Sequence, residues 1–517
     1  MSRWAAPEVE IRTGRLAGIR RRGVLVFRGV PYAAAPVGAR RWLAPAPPPP
    51  WPGVRAADRF AASAPQNPSA LELLLGGAGG GREDCLYLNV WTPSLGGRLP
   101  VLVWLHGGGF TTGSGSIPWY DGAALAARGA VVVTLNYRLG VFGFCHLADV
   151  VDQPDERVAA AGNAGLLDQA EALRWVQANI AVFGGDPARV ALFGESAGAM
   201  CVAAHLALPA SAGTFTRAIA QSGAAANVSS RERAAAVAHR LLEELGCEPG
   251  RGRRLGLDAL QALPTAALLD AQQRVNAQLS GPGGLAFQPV LDGEALGATP
   301  LDALAAGAAP GVELLVGANR HEMRLFFLND PSAGGLSAGA AGEAELLRRL
   351  ERSLAAVGAS ADPADAAARY RETAGRFASP VDLWIAHLSD RVFHEPARRL
   401  ADAAASAGRA VRTYLFDYPT PAFAGRLGAC HALELPFVFD NLDAPGANLF
   451  VGPLTGAVRR LAGVAADAWV AFADGGSTAL SGWAPGGGEH GPVTTLLDGA
   501  GAGAAPDPLA ELRKLWV

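Results

Sequence analysis

Ser196 stands in Gly194-Glu195-Ser196-Ala197-Gly198, a G-x-S-x-G run. A serine hydroxyl attacks a carbonyl only when a neighbouring base takes its proton, and the base must itself be oriented by a third group. The flanks of Ser196 give the pattern a context. Val190-Ala191-Leu192-Phe193 has the character of a short buried strand, and Ala199 to Leu206 is a run of helix formers without Pro or Gly. Strand, sharp turn and helix make a nucleophile elbow: the turn crowds the backbone, so its neighbours must lack bulk, and the hydroxyl is held clear of the sheet at the positive end of a helix. A second stretch, His106-Gly107-Gly108-Gly109-Phe110, follows the apolar run 101–105. Consecutive glycines let backbone N–H groups converge on a developing negative charge. In a chain with 65 glycines such a triplet is weak alone, and its place shortly before the elbow gives it weight.

These pieces need a scaffold. Strands are expected at 88–91, 100–105, 130–135, 190–193, 217–221, 313–316 and 411–416, and helices at 123–128, 168–180, 231–246, 258–278, 344–357 and 363–375. Strands apolar on both faces and alternating with helices predict an α/β fold, a mostly parallel sheet covered on both sides. The Pro-dense segment 44–52 can be neither helix nor central strand, and Trp42 and Trp51 flank it as anchors for a surface crossing. No repeat or linker interrupts the chain, so 1–517 reads as one domain with helical insertions around the site.

Half of the 517 residues are hydrophobic, 18% are charged and the net charge is −3, with Lys514 the one lysine. This leaves ample core material and no electrostatic footprint for nucleic acid or an anionic membrane. The start has no apolar segment of signal-peptide length, and no stretch is long enough to cross a bilayer. Cys85, Cys145, Cys201, Cys247 and Cys430 are odd in number, scattered and without metal-ligand spacing. The expectation is a cytoplasmic protein without metal or organic cofactor, as a monomer or small homo-oligomer.

The chain resembles the type-B carboxylesterases, the branch of the α/β-hydrolase superfamily that also contains the cholinesterases. The likeness runs nearly end to end, through 27–32, 36–42, 83–91, 136–140, 163–169 and 183–187 as well as the two glycine motifs. It implies an α/β-hydrolase fold and ester hydrolysis through an acyl-enzyme on Ser196. It also implies oxyanion donors at the amides of Gly108, Gly109 and Ala197. The family's acid is usually Glu in a segment like Gly317-Ala318-Asn319-Arg320-His321-Glu322, which selects Glu322. Its base lies in a segment like Gly428-Ala429-Cys430-His431-Ala432-Leu433-Glu434, which selects His431. His321 is a local rival as base, disfavoured because neighbours on an extended strand end point in opposite directions. Glu434 and Ser222 are candidate supporting residues, Glu195 is expected to be buried and hydrogen-bonded, and Arg41 with Glu83 and Arg138 with Asp168 sit where the family pairs charges.

The chain departs from the family in the segment 66–84. Just upstream of that segment, within 60–66, alanine stands where secreted relatives carry the cysteine that pairs with Cys85, which fits a reducing compartment. The segment 66–84 lacks the tryptophan with which cholinesterases hold a quaternary ammonium, so choline-ester specificity is not expected. Gly283, Leu285 and Phe287, in a segment resembling the acyl pocket, and Leu325 and Phe326 beyond the acid are the candidate pocket residues. The expected substrate is a small-molecule ester with a short- to medium-chain acyl or aromatic group, with amides, carbamates and polyester fragments as alternatives. A non-catalytic adhesion or binding role is disfavoured by the intact set of Ser, Glu and His.

Overall fold

The computed structural model describes residues 6–516 apart from 70–71, 74, 78–79, 152–154, 248–255, 280–283, 331–332, 334, 337–338, 477–481 and 484–492. In chain order its strands are β1 (Glu8–Ile11), β2 (Gly14–Ala17), β3 (Ile19–Arg21), β4 (Val24–Pro31), β5 (Val54–Ala56), β6 (Tyr87–Thr92), β7 (Leu99–Leu105), β8 (Val131–Leu135), β9 (Gly185–Glu195), β10 (Arg217–Gln221), β11 (Glu313–Asn319), β12 (Val411–Phe416), β13 (Val493–Asp498) and β14 (Gly501–Pro506). β1, β2 and β5 form a small sheet. The other eleven form one sheet in the order β14-β13-β12-β11-β10-β9-β7-β8-β6-β4-β3. From β13 to β8 every pairing is parallel, and the strands beyond each end pair antiparallel.

Alternation along the central strands builds two apolar layers. Val101, Val103 and Leu105 of β7 and Val190 and Leu192 of β9 enter the layer that includes Leu173 and Val176 of the helix Ala164–Asn179. Leu102 and Trp104, with Ala191 and Phe193, enter the other, which includes Leu461 and Trp469 of the helix Gly456–Asp474. The Trp104 ring meets those of Tyr120, Phe193 and Phe439 at 4.9, 4.8 and 5.0 Å. Burial on both faces is what parallel strands require, so the sequence expectation of a covered, mostly parallel sheet holds.

The helix expected over 258–278 is two, Leu257–Gln261 and Thr265–Leu279. Pro264 lies at the break, with no N–H to continue the ladder and a ring that blocks the preceding turn. The Pro-rich crossing is anchored as expected: Trp42 Nε1 donates to Val141 O (2.7 Å) and Trp51 Nε1 to Arg15 O (3.0 Å). Among the described residues no helix is long and apolar enough to cross a membrane.

Candidate active site

β9 lies inside the parallel block between β7 and β10, and its carboxyl end delivers Ser196 to the helix Ala197–His205. Ser196 takes φ 57° and ψ −126°, a conformation costly for a residue with a side chain and tolerated where the surroundings enforce it. Two bonds do so: the Ser196 N–H donates to Gln221 O (2.9 Å), and its carbonyl accepts from Met200 N (3.0 Å). The flanking glycines are required by space. A Cβ on Gly198 would stand 2.0 Å from Leu105 O, and one on Gly194 2.6 Å from the Gly198 carbonyl carbon.

The glycine loop after β7 faces the elbow. Gly108 and Gly109 have φ of 105° and 59°, and among the described residues their amides, like that of Ala197, donate to no protein acceptor. Ala197 opens its helix, where N–H groups are unpaired by construction and the dipole is positive. His106 supports the loop from below: it is stacked on Tyr137 at 4.4 Å, and the Tyr137 hydroxyl donates to His106 O (2.7 Å). Burial lowers its pKa to about 4, so it stays neutral.

β11 ends at Asn319, and Glu322 opens the tight turn Glu322–Arg324, fully buried. One carboxylate oxygen accepts from Asn319 N–H (2.6 Å), and the other lies 2.6 Å from His431 Nδ1. His431 N–H also donates to Glu322 O (3.2 Å), and Phe326 and Phe393 flank the imidazole at 5.2 and 4.8 Å. Nε2, the other ring nitrogen, stands 3.0 Å from Glu195 Oε1. Among the described residues that oxygen makes no hydrogen bond, so the contact is electrostatic: Glu195 is buried as expected, but the expected hydrogen bond is not seen at Oε1. Burial alone would lower the His431 pKa, but the two carboxylates raise it well above the ordinary histidine value.

Chain segments far apart in sequence thus bring Ser196, Glu322 and His431 to one place. His321 is turned elsewhere: its Nδ1 accepts from Ala429 N–H (3.1 Å), its ring meets Phe377, and burial lowers its pKa to about 3. Glu434 is buried behind the site. Its carboxylate accepts from Gln221 Nε2 (3.1 Å) and Asn319 Nδ2 (2.6 Å), and burial with neighbouring Glu195 and Glu322 raises its pKa to about 8. Ser222 is buried with a hydroxyl that meets no hydrogen-bond partner among the described residues.

Ser196, His431 and the glycine loop line a cavity of about 490 Å³. Of the pocket candidates, Leu285 and Phe326 line it, and Gly283 lies outside the described residues. Phe287 and Leu325 do not line it. Phe287 is fully buried in the first apolar layer, and Leu325 packs half-buried against the second. Neither segment is a regular strand, so no alternation told inward from outward. Sequence reasoning also missed Glu72, Tyr120, Met200 and Phe393 in the wall. Glu72 had one visible signal, a lone charge within Leu71-Glu72-Leu73-Leu74.

The sheet order and the strand–serine–helix elbow at its centre define an α/β hydrolase. The Carboxylesterase family model matches residues 5–499, and the chain belongs to that family. The para-nitrobenzyl esterase of Bacillus subtilis (strain 168) is 39% identical over 502 residues, 95% of this chain and 94% of that one. The phenmedipham hydrolase of Pseudarthrobacter oxydans is 37% identical over 479 residues, 90% and 89% of the two chains. The crystal structure of a Geobacillus stearothermophilus carboxylesterase, 41% identical, superposes with a TM-score of 0.84 over 99% of this chain and 100% of that one. The protein is a carboxylic-ester hydrolase.

Proposed function

We propose that Ser196 is the nucleophile, His431 its general base and Glu322 the carboxylate that orients the base. The observation that carries this reading is the 2.6 Å contact of His431 Nδ1 with Glu322, which leaves Nε2 turned toward the end of β9 where Ser196 lies. In the free enzyme Nε2 faces Glu195. Catalytic hydrogen bonds are often long in the free enzyme and tighten in the substrate complex, and in this reading the Ser196 hydroxyl takes over Nε2 when an ester enters. As Oγ bonds to the ester carbonyl carbon, its proton passes to Nε2 and the carbonyl π electrons move onto oxygen. That oxyanion is received by the amides of Gly108, Gly109 and Ala197, which hold no other acceptor. His431 returns the proton to the leaving alcohol, and water activated by the same nitrogen then cleaves the acyl-enzyme. Glu322 fixes the tautomer and stabilises the imidazolium.

The cavity wall is largely apolar, with Leu285, Met323, Phe326 and Phe393 around the serine, and its size suits short- to medium-chain acyl or aromatic esters. All five cysteines are free thiols, which supports a reducing compartment such as the cytoplasm. The test is hydrolysis of short p-nitrophenyl esters by wild type and Ser196→Ala, with phosphonate labelling of Ser196. Loss of turnover and of labelling in the variant is expected, and equal turnover by both would end the proposal.

A further inference from the structure

One polar group in the cavity has no part in the reaction just described. Glu72 is 94% buried, from a relative exposure of 6%, and lines the same cavity as Ser196. Among the described residues no donor and no cation meets its carboxylate. A carboxylate largely removed from water without a partner is costly; here Oε2 lies against Gly77, 2.9 Å from where a Cβ on that residue would stand, and Glu72 borders the space a substrate fills. The wall it shares includes the apolar Leu75 and Leu435, and its hydroxyls, Ser69 and Tyr120 among them, make no hydrogen bond to the carboxylate among the described residues.

We propose that Glu72 is a recognition carboxylate for esters whose acyl or alcohol part carries a protonated primary or secondary amine. This rests on the reading of the cavity as the ester site. Selection runs through an N–H···O⁻ bond, stronger than a neutral one. It therefore differs from aromatic capture of a quaternary ammonium, which has no N–H to donate. Burial raises the Glu72 pKa to about 7. The carboxylate is thus charged above that pH and neutral below it, and the preference for ammonium esters should appear as pH rises through 7. The other titratable groups facing the cavity are Glu195, His431 and Tyr120. Glu195 is a second carboxylate that a bound ammonium meets, so the difference in the rate ratio between wild type and Glu72→Gln is what isolates Glu72.

The test uses isosteric pairs in which one ring CH2 becomes NH2⁺. On the alcohol side these are cyclohexyl and piperidin-4-yl butanoate, and on the acyl side the p-nitrophenyl esters of cyclohexanecarboxylic and piperidine-4-carboxylic acid. The kcat/KM ratio of ammonium to neutral ester, in at least one pair, should be about tenfold or more higher in wild type than in Glu72→Gln at pH 8. The ratio should converge on that of the variant below pH 6 and should be largely kept in Glu72→Asp. The neutral esters report whether each variant is folded, and Glu72→Leu gives a second charge-free wall. Equal ratios in wild type and Glu72→Gln for both pairs would overturn the proposal. So would an N,N-dimethylpiperidinium ester favoured as strongly as the secondary amine. Failure of wild type to cleave even the neutral esters would instead sink the esterase reading of the cavity.

Discussion

His431 is held between Glu322 on Nδ1 at 2.6 Å and Glu195 near Nε2 at 3.0 Å, with Phe326 and Phe393 against its faces. Against the lowering effect of burial, both carboxylates favour the imidazolium and the pKa is raised. As the proposed base, His431 must be neutral to accept the Ser196 proton, so turnover should rise as pH climbs through that raised value. Glu195→Gln removes one of the two charges. Its imidazole should lose its proton more easily, and the acid limb of the kcat/KM profile on a neutral p-nitrophenyl ester should move to lower pH. Glu322→Gln also removes a charge, but it offers Nδ1 an amide in place of the carboxylate proposed to fix the tautomer. Its kcat should fall by on the order of 10⁴-fold, a loss no change of pH restores. A single pH series on the three enzymes separates the roles: a moved limb for one substitution and a collapsed plateau for the other.

At the scale of elements, the site depends on how closely β7, β9 and the helix Ala197–His205 approach. Gly198→Ala places a Cβ 2.0 Å from Leu105 O, backbone that cannot swing aside. A cost of about 1–3 kcal/mol is expected, together with a lower kcat as the Ala197 amide, a proposed oxyanion donor, is displaced. Gly297, with nothing within 4 Å of an added Cβ and an ordinary φ, is the control, and its Ala variant should stay within ~0.5 kcal/mol of wild type. Thermal unfolding and phosphonate titration of Ser196 measure both effects. The elbow was legible in the sequence because it is local: strand, tight turn and helix are neighbours along the chain, and each leaves its mark in residue type. Glu322 and His431 were legible as segments, since each carries its own short motif. The wall was not. Phe287 and Leu325 stay out of the cavity wall while Glu72 lines it; the first two lie in irregular segments and Glu72 in a short helical turn, and the facing of all three is set by contacts with distant chain. The edge pair β13–β14 was missed for a related reason: Gly501–Pro506 is Gly- and Ala-rich and has strand form only through its partner.

Across the whole molecule, the segments before and after the parallel block must be tied to it, and buried charge does part of the tying. Arg138, just past β8, is enclosed with Asp168 of the helix Ala164–Asn179, their side chains 2% and 0% exposed. Nη2 and Nε donate to the two carboxylate oxygens at 2.7 and 2.8 Å, and the Arg138 N–H adds a third bond at 3.0 Å. Nη1 reaches Leu43 O at 2.8 Å, which ties in the Pro-rich crossing from the start of the chain. Arg41 makes a similar tie with Glu83, 2.6 Å away, and with carbonyls of the 260–263 segment. Removing one partner from so dry a pair leaves the other charge without water or counter-charge. Asp168→Asn, which keeps shape and loses charge, should therefore cost about 3–5 kcal/mol. Replacing both partners by apolar residues, Arg138→Met with Asp168→Leu, removes the stranded charge as well as the attraction. The double variant should be more stable than Arg138→Met alone, although the Leu43 carbonyl stays unpaired in both. Urea unfolding of wild type, Arg138→Met, Asp168→Leu and the double variant gives the coupling directly. Losses that simply add would mean that the ends of the molecule are held by packing, with the ion pair as a passenger.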